Sequence, residues 1–100
     1  MTEGSDIAGF RHVVREHVYD KCWALDVTWA EVSELFESGT VIERHAFGDR
    51  RVKEIRLLVG WSRALHLVYV VDPGRRIIVF VTIYEPDLGH WRPGFTERRR

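Results

Sequence analysis

The chain has 100 residues and a mass of 11.8 kDa, with 45% apolar and 30% charged residues. That is the size of one small domain able to build its own core, and it excludes a disordered tail or a two-domain enzyme. No apolar run reaches the roughly 18 to 20 residues of a membrane helix. The opening Met1-Thr-Glu-Gly-Ser-Asp6 lacks the basic end and apolar stretch of a secretory signal. The single Cys22 can form no internal disulfide, so a reducing, cytoplasmic setting without membrane contact is expected.

The formal net charge of zero hides a split. Residues 1–43 carry nine acids against three bases, and residues 44–100 carry six acids against twelve bases. Thirteen of the fifteen bases are arginine, whose planar fork matches phosphate and carboxylate, so the second half reads as an anion-binding surface.

Ile7, Phe10, Val14, Val18 and Cys22 or Leu25 recur at intervals of three and four, which predicts a helix from Ile7 to Leu25 capped by Ser5 or Asp6. Asp26-Val27 breaks it. Thr28-Trp-Ala-Glu31 then has the spacing of a capping box and starts a second helix with Val32, Leu35 and Phe36 inward. Gly39 stands where a left-handed helix cap is easiest. Strands are expected over Thr40–Phe47, Val52–Gly60, Leu65–Val71 and Arg76–Glu85. Turns separate them at Gly48–Arg51, Trp61–Ala64 and Asp72-Pro-Gly-Arg75. The predicted fold is α+β, with two N-terminal helices packed on a four-stranded antiparallel sheet. Residues 1–91 form the single domain, and residues 92–100 form a basic C-terminal tail that docks in part.

Alternation assigns side chains to faces. Ile77, Val79, Val81 and Ile83 form an aliphatic set expected against the helices. If the hairpin register is regular, His66, Thr82 and Tyr84 can then share the opposite face and Arg56 can join them, and a single bulge would undo the grouping. A group of His, Tyr, Arg and Thr without paired carboxylates suits metal-independent RNA cleavage. That reaction needs a base for the ribose 2′-hydroxyl, an acid for the leaving 5′-oxygen and cations for the crowded phosphate. Histidine serves as either, since its ordinary pKa of about 6.5 lies near working pH. His12 and Glu16, four apart, are two ligands short of a metal site, and nothing around Cys22 marks an activated thiolate. No metal or other cofactor is expected. Of Trp23, Trp29, Trp61 and Trp91, at least two are expected in the core or at its edge, and an exposed one could stack on a base.

Four short patterns occur in order: His17-x3-Lys21, Val27-Thr-x-x-Glu31-Val, Arg63-Ala-Leu-His66, and Thr82-Ile-Tyr-Glu-Pro-Asp87 with Trp91. Together they resemble a family of small bacterial domains typified by H-x3-R, R-P-L-H and T-V-Y-x-P. That family is similar to the RelE/ParE-type and barnase–EndoU–colicin D ribonuclease toxins. The resemblance covers roughly residues 11–91. It implies an endoribonuclease, often a toxin paired with an antitoxin protein, with RNA as substrate. The positions it carries over are His17, Lys21, Arg63, His66, Thr82 and Tyr84. His17 and His66 become acid and base in unassigned order. Lys21, Arg63 and Arg56 hold phosphate, and Tyr84 with Thr82 orients the substrate. Lys21 replaces the family's arginine, which keeps the charge and loses the fork, and Leu25 stands where a second helix arginine is common. The competing reading is a non-catalytic module whose basic face docks RNA or an acidic protein. An exposed sheet edge invites homodimerisation in either case.

Overall fold

Residues 9–99 are described by a computed structural model of the chain. Their elements are β1 (Arg11–Val14), α1 (Glu16–Ala24), α2 (Trp29–Leu35), β2 (Thr40–Phe47), β3 (Arg51–Leu58), β4 (Leu65–Asp72) and β5 (Ile77–Tyr84). The strands form one sheet in the order β1-β5-β4-β3-β2. β1 runs parallel to β5, and the other neighbours are antiparallel. The class is α+β, but the expected four-stranded antiparallel sheet is corrected to a five-stranded mixed one.

The extra strand has a simple cause. An interval of four residues is close to one helical turn, yet it is also two full periods of a strand. Phe10 and Val14 use the strand reading, and both pack against the core under the helices. His12 lies between them on the same face, its ring edge-on to Phe36 and Phe80 at 5.9 and 5.2 Å between centroids. Val18 and Cys22 use the helical reading and are buried by α1. The expected cap at Ser5 or Asp6, and Ile7, lie outside the described residues. α1 ends in a left-handed cap at Asp26 (φ 60°), with Val27 N–H donating to Cys22 O and Asp26 N–H to Trp23 O.

α2 starts as its sequence dictates. Thr28 Oγ1 accepts from Glu31 N–H at 3.1 Å, and Glu31 Oε1 accepts from Thr28 N–H at 2.9 Å. Gly39 is needed for space rather than for a left-handed backbone. A Cβ there would stand 2.6 Å from Leu58 Cδ2 and 2.8 Å from the Leu57 carbonyl. At the β4–β5 turn the left-handed residue is Arg76 (φ 56°) rather than the glycine, so β5 begins at Ile77.

The helices cover one face of the sheet. Val18, Cys22, Val32 and Phe36 meet Leu58, Leu65, Leu67, Tyr69, Ile78, Phe80 and Ile83 there. A second, smaller cluster of Ile55, Val68 and Trp91 lies on the opposite face, flanked by Val81, Tyr84 and Phe95. The expected inward set on β5 is right only at Ile83. Val68 pairs with Thr82 but Tyr69 pairs with Phe80, so Val81 is a bulged extra residue that inverts the faces. Before it, Ile78 and Phe80 point to the helices. After it, Thr82 and Tyr84 lie on the opposite face, as the alternation of the strand predicts.

Candidate active site

Tyr84 stands directly across from His66 in the β4–β5 register. Its hydroxyl is 3.1 Å from His66 Nδ1, and His66 Nε2 is 2.8 Å from the Phe95 carbonyl oxygen. A carbonyl can only accept, so Nε2 carries the proton and Nδ1 accepts from the Tyr84 hydroxyl. The neutral imidazole is thus fully satisfied while wholly buried. Burial lowers the His66 pKa below its ordinary value, against the opposing pull of the Phe95 carbonyl. Burial likewise raises that of Tyr84.

The roof over His66 is the C-terminal segment. Trp91 meets the imidazole edge-on at 4.4 Å between centroids. The chain reverses through Gly94 (φ 92°) and Phe95 (φ 61°), and Arg98 returns to form a bridge with Trp91. Its guanidinium lies 4.6 Å above the Trp91 ring. It also donates to Glu43 Oε2 on β2 at 2.5 Å, and that bond holds the Glu43 carboxyl below its ordinary pKa. Residues 92–99 therefore fold back over the sheet.

His17 reaches the same strand from the other side. It lies in the first turn of α1, exposed, and its Nε2 is 3.1 Å from Thr82 Oγ1. β1 pairs with β5 only as far as Phe80, which leaves the edge of β5 free at Thr82. Lys21 follows one turn later on the same flank of α1 as His17. The structure thus brings His17, Thr82, Tyr84 and His66 to one end of β5, with Lys21 alongside.

Two expected phosphate ligands are placed differently. Arg63 donates from Nη2 to the Leu25 carbonyl at the end of α1, and its Nε is buried, 3.8 Å from a Glu85 carboxylate oxygen. It clamps α1 to the β3–β4 loop. Arg56 lies on the helix face. It donates to the Tyr69 hydroxyl at 2.9 Å and to the Phe36 carbonyl at 2.7 Å, with its guanidinium 4.4 Å above the Phe36 ring. Tyr69 in turn donates to Glu54 at 2.6 Å, and Arg44 pairs with the same carboxylate at 2.8 Å. Alternation groups Glu54, Arg56 and Leu58 correctly. Leu58 belongs to the core, so its companions face the helices too.

The other candidates resolve simply. His12 is on β1 and Glu16 on α1, so their spacing is not helical. Cys22 is buried, which raises its thiol pKa and keeps it protonated. Trp91 is buried, Trp29 and Trp61 are partly so, and Trp23 is 87% exposed on α1. The sequence reading missed Phe95, Arg98 and Glu43 as parts of the site. The one available signal was Trp91 and Phe95, four apart in a tail otherwise polar.

Among the described residues, no three or more His, Cys, Asp or Glu side chains are grouped to hold a metal ion. No described helix is long and apolar enough to cross a membrane. Comparison of the chain with family models, with curated proteins and with solved structures gives no match.

Proposed function

We propose that the chain is a metal-independent endoribonuclease of the toxin kind, held in check by an antitoxin protein. One observation carries this reading. Two imidazoles, from α1 and from β4, are hydrogen-bonded to Thr82 and Tyr84, side chains two residues apart on β5 and so about 7 Å apart along the strand. Side chains so placed can flank one phosphodiester, with a proton-transfer group toward its 2′-oxygen and another toward its 5′-oxygen. In the reaction the 2′-oxygen forms a bond to phosphorus, the bond from phosphorus to the 5′-oxygen breaks, and one proton moves at each end. His17 is open to solvent and takes or gives one of them. Tyr84 presents a hydroxyl whose proton is shared with neutral His66, which handles the other. Thr82 fixes the His17 ring, and Lys21 supplies charge to the phosphate. Arg63 acts through α1, by holding the helix that carries His17 and Lys21. Arg56 has no part in the reaction.

A non-catalytic RNA- or protein-binding module is the second reading, and the complete burial of His66 favours it. Incubation of purified protein with RNA in EDTA separates the two. The enzyme gives 2′,3′-cyclic phosphate ends, and His17→Ala lowers the rate by about 100-fold or more. Salt-sensitive binding with no cleavage sinks the nuclease and leaves the module. Cleavage at an undiminished rate in His17→Ala rejects the assignment of the site.

A further inference from the structure

His66 is sealed by a segment that is hydrogen-bonded to itself and to the preceding His90 as well as to the sheet. Within Trp91–Arg99, Arg92 N–H donates to the Glu97 carbonyl at 2.8 Å and Phe95 N–H to the Arg92 carbonyl at 2.9 Å. Arg99 N–H donates to the His90 carbonyl at 2.9 Å. The links to the sheet are the Trp91 ring, which lies on His66 and clusters with Ile55 and Val68, the Phe95 carbonyl on Nε2, and Arg98 on Glu43. Phe95 makes its contact from a left-handed backbone that disfavours an L side chain.

The outer surface of the segment is a groove of about 630 Å³ lined by Arg92, Thr96, Arg98 and Arg99 with Glu43 and Glu97. Two of its three arginines are engaged by carboxylates, Arg98 by Glu43 at 2.5 Å and Arg92 by Glu97 at 3.9 Å, while Arg99 donates to the Leu88 carbonyl. A phosphodiester offers a guanidinium the same pair of acceptor oxygens as a carboxylate. It is repelled by Glu43 and Glu97 while they remain in place, so it binds better to the state in which Arg98 has left Glu43. A ligand with that difference in affinity shifts the equilibrium toward the open state.

We propose that Trp91–Arg99 is a strap latched over His66 by Arg98 on Glu43, and that the phosphate backbone of a single-stranded nucleic acid opens it by taking Arg98 from Glu43. The purpose of opening rests on the nuclease reading above; the strap and its latch do not. In the open state His66 and Tyr84 face the strand that displaced the cover, and the site is assembled by its own substrate class.

Diethyl pyrocarbonate acylates accessible imidazoles, and peptide mass spectrometry locates each adduct, with exposed His12 on β1, outside the site and the strap, as internal reference. In the free protein His66 is spared. A short single-stranded DNA has no 2′-hydroxyl and is not cut by this chemistry. It raises acylation of His66 about threefold at low salt, and high salt abolishes the rise. Glu43→Gln gives a similar rise without DNA, with an unchanged circular dichroism spectrum, and Arg98→Gln does the same. Protection of His66 that is equal with DNA and in both variants overturns the strap. If Glu43→Gln exposes His66 and RNA still stays intact in EDTA, the strap stands and the nuclease reading falls.

Discussion

On the helix face of the sheet, Arg56, Tyr69 and Glu54 are buried in a chain of hydrogen bonds that ends on the Phe36 carbonyl and on Arg44. On the opposite face, His66 and Tyr84 are buried beneath Trp91 and Phe95. The residue types are similar, and each set is satisfied internally. The covers differ. Arg56 lies under the end of α2, inside the main core, and its partners cannot withdraw without unfolding the domain. His66 lies under a segment held by Trp91 and Phe95 packed on the sheet and by an ion pair at the protein surface. Local openings draw on the weakest cover rather than on the most polar group, so depth of burial alone does not separate a structural cluster from a site.

The contrast breaks most visibly on the helix face. Arg56→Ala leaves the Phe36 carbonyl and the Tyr69 hydroxyl short of a partner and opens a cavity over Phe36. It is expected to lower stability by about 3 kcal/mol, with a fall in melting temperature on the order of 15 °C. Tyr69→Phe strands a Glu54 oxygen and the Arg56 Nε and is expected to cost about 2 kcal/mol. Burial and the Glu54 carboxylate both push the Tyr69 hydroxyl pKa upward, so it keeps its proton and keeps donating. Urea denaturation reads both variants. An Arg56→Ala protein within 1 kcal/mol of the wild type would mean that water already reaches the cluster, and the two faces would then be alike.

On the second face the expected signature is a dependence on pH. Burial holds His66 below its ordinary value of 6.5, so the unfolded chain takes up a proton at pH values where the folded chain does not. The stability contributed by neutral His66 is complete above about pH 6.5 and is lost as pH falls from there toward the lowered folded value. Glu43, Asp49 and Asp87 are also held below their ordinary values, by hydrogen bonds from Arg98, the Arg50 backbone and His90 respectively. Their contributions fade lower, below about pH 4.5. Between those windows the slope belongs to His66 and reaches at most about 1.4 kcal/mol per pH unit. Urea midpoints at pH 7.5 and 5.5 measure it, and His66→Asn should flatten it. A wild-type chain with no slope over that interval has an open His66, and the roof is then no cover.

Local rules made much of this molecule legible. The Thr28–Glu31 box and the alternation of Leu65, Leu67, Tyr69 and Val71 follow from short-range spacing. What was lost depends on partners far along the chain. Phe10 and Val14 fit a helix or a strand equally well, and only the free edge of β5 decides between them. The bulge at Val81 is a property of two strands together, so the faces of Ile77–Val81 could not be read from β5 alone. Arg56 was misplaced because a guanidinium in the same alternation set as Glu54 reads as surface. The aromatic ring and carbonyl of Phe36 that accept it lie 20 residues away. The roof was hidden for a further reason. A tail of Gly, Pro and Arg carries no periodicity, and its docking rests on two aromatic side chains and one ion pair.

The smallest expected effect is at that ion pair. Arg98 is 55% exposed and Glu43 18%, so solvent screens the pair despite its short distance. A double-mutant cycle over Glu43→Gln and Arg98→Gln is expected to give a coupling of about 0.5 kcal/mol, shrinking as salt rises. A latch of that strength shifts the closed-to-open ratio only about twofold, on top of the packing of Trp91 against Ile55 and Val68. It therefore yields to several phosphates acting together, because each adds its own charge-assisted contact to arginine. A coupling of about 2 kcal/mol or more, insensitive to salt, would make the latch as firm as the cluster around Arg56. The second face would then be a second core, and His66 would be as permanently enclosed as Tyr69.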